Sequence, residues 1–216
     1  MLTILEELVL LAVNPNTGEL VSTHEFGMGY ALVGAVFFDL ALSRQIDTDT
    51  EEIRILATAP SGHPVWDAVL AEMRNQPGLR TVRDWIEAMF RGNHDLEGAA
   101  LASLIAGGIL RRQKSKRLWL IEVERFPLVD RPAQTRLRER LAGAILGDQI
   151  PDPRDIMLVS LAEPCGLLRC LLSEAELESR KQRIAMLSNL ETISRKVSLA
   201  IADLDASVRQ TPHRLG

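Results

Sequence analysis

The chain has 216 residues, of which 46% are hydrophobic, and a formal net charge of -4 at pH 7. This is enough apolar sequence for one domain that removes about 70% of its unfolded surface from water, which excludes any need for a disulfide scaffold. We expect a single domain over residues 1–208, followed by a frayed tail over residues 209–216.

The first segment predicts a helix followed by a turn. Residues 2–13 read LTILEELVLLAV, and the turn-forming sequence NPNTG follows at residues 14–18. Glu6 and Glu7 interrupt the apolar run and no basic region precedes it, which argues against a secretory signal and favours a cytoplasmic protein. We expect the two glutamates on the helix surface rather than in a catalytic site.

The most apolar segment lies at residues 30–42. It carries a single charge, Asp39, and it has no polar face. The segment is shorter than the roughly 20 apolar residues that cross a bilayer. We therefore expect a central helix of the fold, with Asp39 as a buried or capping carboxylate.

Three helices should follow this central one. Residues 65–74 and 81–90 have amphipathic spacing, and each offers one tryptophan to the core. Thr81 is the expected N-cap of the second. Residues 94–106 predict the third, which ends at Gly107-Gly108 because glycine readily adopts the left-handed conformation of a C-cap.

A β-hairpin and another helix come next. Ile109-Leu110 and residues 118–123 are strand-like runs on either side of a polar turn at residues 112–117. Pro132 suits the first position of the next helix, in which apolar residues recur every fourth position. These residues are Leu137, Leu141 and Ile145, and Arg136 and Arg140 share another face of the same helix.

The C-terminal third has the clearest helical period. Apolar residues with spacings of three and four predict one buried stripe, which packs onto the domain in preference to forming a coiled-coil seam. The stripe consists of Leu190, Ile193, Val197, Ile201, Leu204 and Val208. Cys165 and Cys170 precede it in an apolar stretch, and we expect packed thiols rather than a bridge, as in a reducing compartment.

The order of several motifs carries a family resemblance. LVGAVFFDLAL, APSGHPVWDAVL, GGIL and FPL occur in this order between residues 32 and 128. With the helix periods around them, the chain resembles the Golgi phosphoprotein three family over residues 2–205. The resemblance implies a mainly α single domain with a projecting β-hairpin and a role as a peripheral membrane protein. Because the chain starts at its first helix, it looks like a minimal, bacterial-type member without the basic, coatomer-binding leader of eukaryotic members.

The resemblance also implies a lipid-headgroup site. Eukaryotic members bind phosphatidylinositol 4-phosphate through one tryptophan and three arginines, and they hold glycosyltransferases in the Golgi as membrane-protein clients. Aligned on the motifs, these four positions are His24, Val33, His94 and Glu97 in this chain. Arg91 lies one helical turn before His94 and is the candidate substitute. We expect weak preference for this lipid over other acidic ones.

Basic residues concentrate in one part of the chain. Residues 111–140 contain ten basic and four acidic side chains, a local charge of +6 that leaves -10 for the remainder. The candidate basic surface consists of Arg111, Arg112, Lys114, Lys116, Arg117, Arg136 and Arg140. It fits an anionic partner, either a lipid headgroup or a nucleic-acid phosphate. The alternative is a solvated face whose arginines pair with acids elsewhere in the fold.

Three functions remain open on this basis. The first is a non-enzymatic adaptor on anionic membranes, since no catalytic motif, metal spacing or cofactor loop occurs in the sequence. The second is a winged-helix-like nucleic-acid binder, which Asp95 and Glu97 disfavour because they occupy the candidate recognition helix. The third is a scaffold that forms homo-oligomers through the hairpin.

Overall fold

The computed structural model of the protein describes residues 1–21, 25–49, 52–76, 78–92, 94–117 and 121–190. Within them the chain is mainly helical and carries two small antiparallel sheets. The predicted fold, a helical domain with a β-hairpin, is confirmed. The predicted buried stripe is wrong at its first member, since Leu190 is 55% exposed. The rest of the stripe, from Ile193 onward, and the tail at residues 209–216 lie outside the described residues.

The helices are α1 (Ile4–Ala12), α2 (Glu25–Leu42), α3 (Pro64–Asn75), α4 (Val82–Arg91), α5 (Leu96–Ala106), α6 (Arg131–Leu146), α7 (Pro153–Ala162), α8 (Glu174–Ser179) and α9 (Lys181–Ser188). A short 3-10 helix at Leu167–Cys170 lies between α7 and α8. The strands are β1 (Ile46–Asp49), β2 (Glu52–Ile55), β3 (Gln113–Arg117) and β4 (Ile121–Arg125). In the part of the chain that the structure describes, no helix has the length and apolarity needed to cross a membrane.

Helix α1 lies in the middle of the core. Thr3 and Glu6 start it with a capping box, in which each side chain accepts the other residue's backbone N–H. The helix contacts α2, α5, α6 and α7, and all of its residues are buried. The prediction that Glu6 and Glu7 lie on the surface is therefore wrong. Glu6 accepts a hydrogen bond from Ser103, and Glu7 has two arginine partners, so neither buried carboxylate lacks a polar partner.

Helix α2 is the predicted central helix, and its single charge has a structural role. The Asp39 carboxylate accepts the backbone N–H groups of Ile4 and Leu5, at 2.8 and 3.2 Å. These amides have no partner within their own helix because they belong to its first turn. Asp39 thus caps α1 from a neighbouring helix, as expected for a buried or capping carboxylate. Burial raises its pKa to about 6 despite these hydrogen bonds.

Strands β1 and β2 form a hairpin that the sequence does not predict. They pair in antiparallel register from Ile46 opposite Ile55 to Asp49 opposite Glu52. Among the strand residues whose burial is described, Ile46 and Ile53 are the buried ones. The intervening sequence DTDTEE resembles a polar loop, so its short alternation is hard to recognise.

The three predicted helices after it are confirmed. Helix α3 starts at Pro64, and α4 starts after Thr81, whose side chain accepts the N–H of Asp84. Trp85 is buried and Trp66 is partly buried against the core. Helix α5 ends at Ala106 with Gly107 as its C-cap, and Gly108 takes the left-handed conformation with a φ of 71°.

The second hairpin exists, but its predicted limits are wrong. The segment predicted as a polar turn forms β3, which pairs with β4 from Gln113 opposite Arg125 to Arg117 opposite Ile121. Leu110 forms an isolated bridge with Leu128 instead of lying in a separate strand. Charged residues suit this strand because the register sets lysines opposite glutamates. Residues 118–120 of the second predicted strand lie outside the described residues.

Helix α6 follows the hairpin as predicted. The Asp130 side chain caps it by accepting the N–H of Ala133. The face predicted to be apolar is buried, at Leu137, Leu141 and Ile145. Further along, Cys165 is buried and Cys170 is partly buried, and both are free thiols, as expected.

Candidate functional site

The two candidate regions lie on different elements of the fold. The positions aligned with the family's headgroup site fall on α2 and at the junction of α4 and α5, and His24 lies outside the described residues. Near that junction the start of α2 packs against the end of α4, where Tyr30 stacks on Phe90 with ring centroids 4.3 Å apart. Gly29 permits this approach, since a Cβ atom there would lie 2.5 Å from the Phe90 ring.

Two of the positions aligned with arginines of the family's headgroup site cannot bind a phosphate as an arginine would. Val33 is only 3% exposed, so it packs in the core and does not face a ligand. Glu97 is acidic, and its pKa is raised first by burial and then by the nearby Asp95. Its charge would repel a phosphate.

The third described position, His94, already has a carboxylate partner. Its Nε2 atom lies 2.6 Å from a carboxylate oxygen of Glu72 on α3, and both side chains are largely shielded from solvent. Gln76 donates a further hydrogen bond to Glu72. A phosphate would have to displace Glu72 before it could reach the Nε2 atom of His94.

The guanidinium of Arg91 also has a carboxylate partner. It is exposed, but its guanidinium lies 2.7 Å from Glu87, which contacts Arg83 as well. Residues 82–97 contain two arginines and four acidic side chains, so the local formal charge is 2 minus 4, or -2. A negative neighbourhood does not attract an anionic headgroup.

The hairpin presents the opposite charge. Residues 109–129 contain six basic and two acidic side chains, so their formal charge is 6 minus 2, or +4. We call this stretch the basic hairpin. Arg111, Arg112 and Lys114 are exposed, and Arg112 and Lys114 each lie 4.0 Å from a carboxylate oxygen of Glu124. Lys116 and Arg117 belong to β3, opposite Glu122 and Ile121.

The two candidates on α6 have different surroundings. Arg136 is exposed, which leaves it accessible to an anionic partner. Arg140 instead donates to Glu7 at 3.0 Å and to Asp155 at 2.5 Å. Burial opposes its charge, but Glu7 and Asp155 outweigh that effect and raise its pKa.

Arg140 belongs to a cluster that the sequence did not reveal. Arg154 donates to the second oxygen of Glu7 at 2.9 Å and to the backbone carbonyl of Leu2. We call Glu7, Asp155, Arg140 and Arg154 the α1 ion-pair cluster. Its members come from three helices and are as many as 147 positions apart in the sequence, so no local spacing could have predicted it. For Arg140, pairing with acids elsewhere in the fold is the arrangement that the structure shows.

Comparison with known families decides the relationship. The model of the family described as Golgi phosphoprotein 3 (GPP34) matches residues 4–204. The chain belongs to the Golgi phosphoprotein 3 family. A search of curated proteins finds no match. The family match covers both candidate regions, yet the positions aligned with the headgroup site that the resemblance implies carry a valine, a paired histidine and a glutamate where they are described.

One further surface feature lies away from both regions. A groove of about 650 Å³ runs between the 3-10 helix, α8 and α9. Leu168, Leu177 and Ile184 form its apolar part, and Glu163, Glu174, Glu178, Arg169 and Lys181 lie around it. Its charges are mixed, so it does not select an anion. Among the described residues, no group of three or more His, Cys, Asp or Glu side chains is arranged to hold a metal ion.

Proposed function

We propose that this Golgi phosphoprotein 3 family member is a non-enzymatic peripheral membrane adaptor that binds anionic phospholipid through the basic hairpin. The observation that carries the proposal is a difference in how the cations are paired. Arg91 and His94 have carboxylates at 2.7 and 2.6 Å, whereas Arg112 lies 4.0 Å from its carboxylate, Glu124. At this distance Arg112 makes no hydrogen bond to Glu124, so its N–H donors remain available to a phosphate.

The size of the effect fits membrane recruitment. A basic side chain near an anionic bilayer contributes on the order of 1 kcal/mol. The basic hairpin has a formal charge of +4, so several such contributions can add without a shaped pocket. This attraction falls off over a Debye length of roughly 8 Å at physiological ionic strength, and it is therefore sensitive to salt.

The same mode of binding limits selectivity. Discrimination between headgroups requires fixed donors around one phosphate, such as the bidentate fork of arginine. The described positions of the family site do not supply them, because Val33 is buried and Glu97 is acidic. We expect little preference for phosphatidylinositol 4-phosphate over other acidic lipids at equal surface charge.

A vesicle titration tests the proposal. Vesicles of phosphatidylcholine alone are compared with vesicles that contain phosphatidylserine or phosphatidylinositol 4-phosphate at matched net charge. We expect binding to both charged vesicles within about tenfold, equivalent to 1.4 kcal/mol, and loss of binding at high salt. Equal binding to uncharged vesicles would refute recruitment by charge. A larger preference for phosphatidylinositol 4-phosphate would indicate that the protein has a specific headgroup pocket.

Two arguments support the adaptor role. One is membership in the family, and the other is the position that the helical body would take if the hairpin were attached to the membrane. Attachment through the hairpin would leave the helical body free to contact a membrane-protein client at the cytoplasmic face. Tight binding of short DNA or RNA duplexes in place of vesicles would instead favour the nucleic-acid hypothesis. A change in mass with concentration would reveal a homo-oligomer, which the exposed hairpin also permits.

A further inference from the structure

A turn between α1 and α2 lies against the base of the basic hairpin. Residues 14–19 form this turn, and an antiparallel bridge between Val13 and Leu20 closes it. Within it, Gly18 N donates to Asn14 O at 2.9 Å, and the Asn14 side chain accepts two further backbone N–H groups. The shape of the turn is therefore fixed by its own hydrogen bonds. We call residues 14–19 the Gly18 turn.

Three contacts join the Gly18 turn to the hairpin. Phe126 N donates to Gly18 O at 2.6 Å. Gly18 approaches the hairpin backbone so closely that a Cβ atom on it would lie 2.7 Å from Pro127 N. The guanidinium of Arg125 lies 2.8 Å from the carboxylate of Glu19. One end of the turn thus contacts three consecutive residues of the hairpin.

The Phe126 amide belongs to the outer edge of the hairpin. In an antiparallel ladder, successive residues direct their N–H and C=O groups alternately to the partner strand and away from it. Pro127 O accepts the N–H of Arg111 at 3.0 Å, so Phe126 directs its own N–H to the other side. Phe126 is only 5% exposed, and a buried N–H without a partner is costly. The carbonyl of Gly18 therefore satisfies a donor that the partner strand cannot reach.

The backbone contacts contribute more to this junction than the ion pair does. The side chains of Arg125 and Glu19 are 37% and 40% exposed, and such a pair adds little to stability. Gly18, in contrast, has a φ of 71°, and the atoms nearest to its missing Cβ belong to the hairpin backbone, which cannot rotate out of the way. Both the conformation and the space at this position therefore require glycine.

We propose that the Gly18 turn is a clamp that fixes the direction of the basic hairpin relative to the helical body. A two-stranded hairpin has little stability of its own, so its direction depends on the contacts at its base. The strand rises by about 17 Å between Phe126 and Ile121, and a tilt of about 10° at the base would move the far end by about 3 Å. The inference concerns how the hairpin is held, so it stands whether or not the hairpin binds a membrane.

Two glycines with the same backbone conformation provide a matched test. Gly18 and Gly166 both have a φ of 71°, but a Cβ atom at Gly166 would meet nothing within 4 Å. Alanine is therefore strained at both positions and presses on the hairpin only at the first. Amide hydrogen exchange of the full chain, measured by NMR, should be at least about fivefold faster at Phe126 in Gly18→Ala. In Gly166→Ala it should stay within about twofold of the unmodified chain.

A second pair of variants adds no atoms at the junction. The Asn14 side chain accepts the N–H groups of Asn16 and Thr17 at 2.9 and 3.1 Å, so Asn14→Ala loosens the turn from within. We expect exchange at Phe126 to be at least about threefold faster in this variant. Glu19→Gln removes only the exposed ion pair, and exchange should stay within about twofold of the unmodified chain.

A distance measurement reports the direction of the hairpin itself. Nitroxide labels are attached through Lys116→Cys in β3 and Gln182→Cys in α9, in a chain that also carries Cys170→Ser. The remaining thiol, Cys165, is buried and should not react with the label. Pulsed electron paramagnetic resonance should show a distance distribution that is wider by about 3 Å when Gly18→Ala is added.

The outcomes decide the proposal in each case. Equal acceleration at Phe126 in Gly18→Ala and Gly166→Ala would mean that backbone strain, and not contact with the hairpin, is the cause, and the clamp would be overturned. An unchanged distance distribution in folded Gly18→Ala would overturn it too. If circular dichroism shows that Gly18→Ala does not fold, the same two measurements on Asn14→Ala decide. Faster exchange with a wider distribution then supports the clamp, and an unchanged distribution overturns it.

Discussion

The α1 ion-pair cluster and the basic hairpin use the same cationic side chains for different purposes. In the cluster, Arg140 and Arg154 reach buried carboxylates at 2.5 to 3.0 Å. In the hairpin, Arg112 approaches an exposed carboxylate only to 4.0 Å. Breaking a close, partly buried pair destabilises the fold, and the cation of such a pair is not accessible to a ligand. A distant, solvated pair contributes little to stability and leaves its cation accessible. Basic composition alone therefore does not locate a binding surface, whereas the pairing of each cation does.

Replacing Glu7 should give the largest effect on stability. Glu7→Gln leaves Arg140 and Arg154 without their shared carboxylate partner inside the fold. Removal of one member of a buried pair costs about 3 kcal/mol, reduced somewhat here because the Arg140 side chain is 38% exposed. Denaturant unfolding measures this loss, and vesicle binding of the folded fraction should not change.

Glu178→Gln is the matched control for that experiment. Glu178 also pairs with a cation, Lys181 at 3.6 Å, but both side chains are exposed. We expect no measurable loss of stability in this variant. Equal stability of Glu7→Gln and Glu178→Gln would show that burial does not distinguish the two kinds of pair.

Asp39 should make stability depend on pH. Burial raises its pKa to about 6 in the folded state, from 3.8. The folded state therefore holds the proton more tightly, so the contribution of Asp39 is fully present below pH 3.8 and is lost as the pH rises through 6. Relative to Asp39→Asn, the unmodified protein should lose roughly 2 kcal/mol of unfolding free energy between pH 4 and pH 7. Parallel pH profiles for the two proteins would contradict the raised pKa.

These contrasts show which parts of the structure the sequence could predict. Thr81, Pro132 and Gly108 act locally, so the limits of their helices follow from residue type and spacing. Asp39 was predicted as a buried or capping carboxylate because it is the only charge in an apolar segment. Local chemistry and periodicity suffice in such cases.

Other features depend on contacts between distant segments. β3 was predicted as a turn because its polar sequence is compatible with a strand only once β4 supplies the opposite charges. Glu7 is buried because Arg140 and Arg154 come from other helices to meet it. For the same reason the sequence could place Arg140 on a basic surface but could not show that it is paired.

Neutralising the basic hairpin should have little effect on stability. The ion pairs of Arg112 and Lys114 with Glu124 are exposed and 4.0 Å long. The closer pair of the hairpin, Arg125 with Glu19 at 2.8 Å, is left intact by these substitutions. Replacement of Arg111, Arg112, Lys114, Lys116 and Arg117 by glutamine should change the unfolding free energy by less than about 1 kcal/mol. A loss as large as that of Glu7→Gln would mean that the hairpin cations stabilise the fold.

Arg91→Gln should have the smallest effect on membrane binding. Arg91 already pairs with Glu87 at 2.7 Å, in a neighbourhood with an excess of acidic residues. We expect its affinity for charged vesicles to stay within about twofold of the unmodified protein, equivalent to 0.4 kcal/mol. A larger loss in vesicle co-sedimentation would indicate that the membrane-binding site lies at the positions aligned with the family's headgroup site.

The most direct measurement compares the five-residue hairpin variant with Arg91→Gln on vesicles that contain phosphatidylserine, at physiological salt. With a contribution on the order of 1 kcal/mol per cation, the hairpin variant should lose at least about a hundredfold in affinity while its circular dichroism and mass stay unchanged. Arg91→Gln should bind normally. Unchanged binding by the folded hairpin variant, with binding lost in Arg91→Gln, would contradict recruitment through the hairpin.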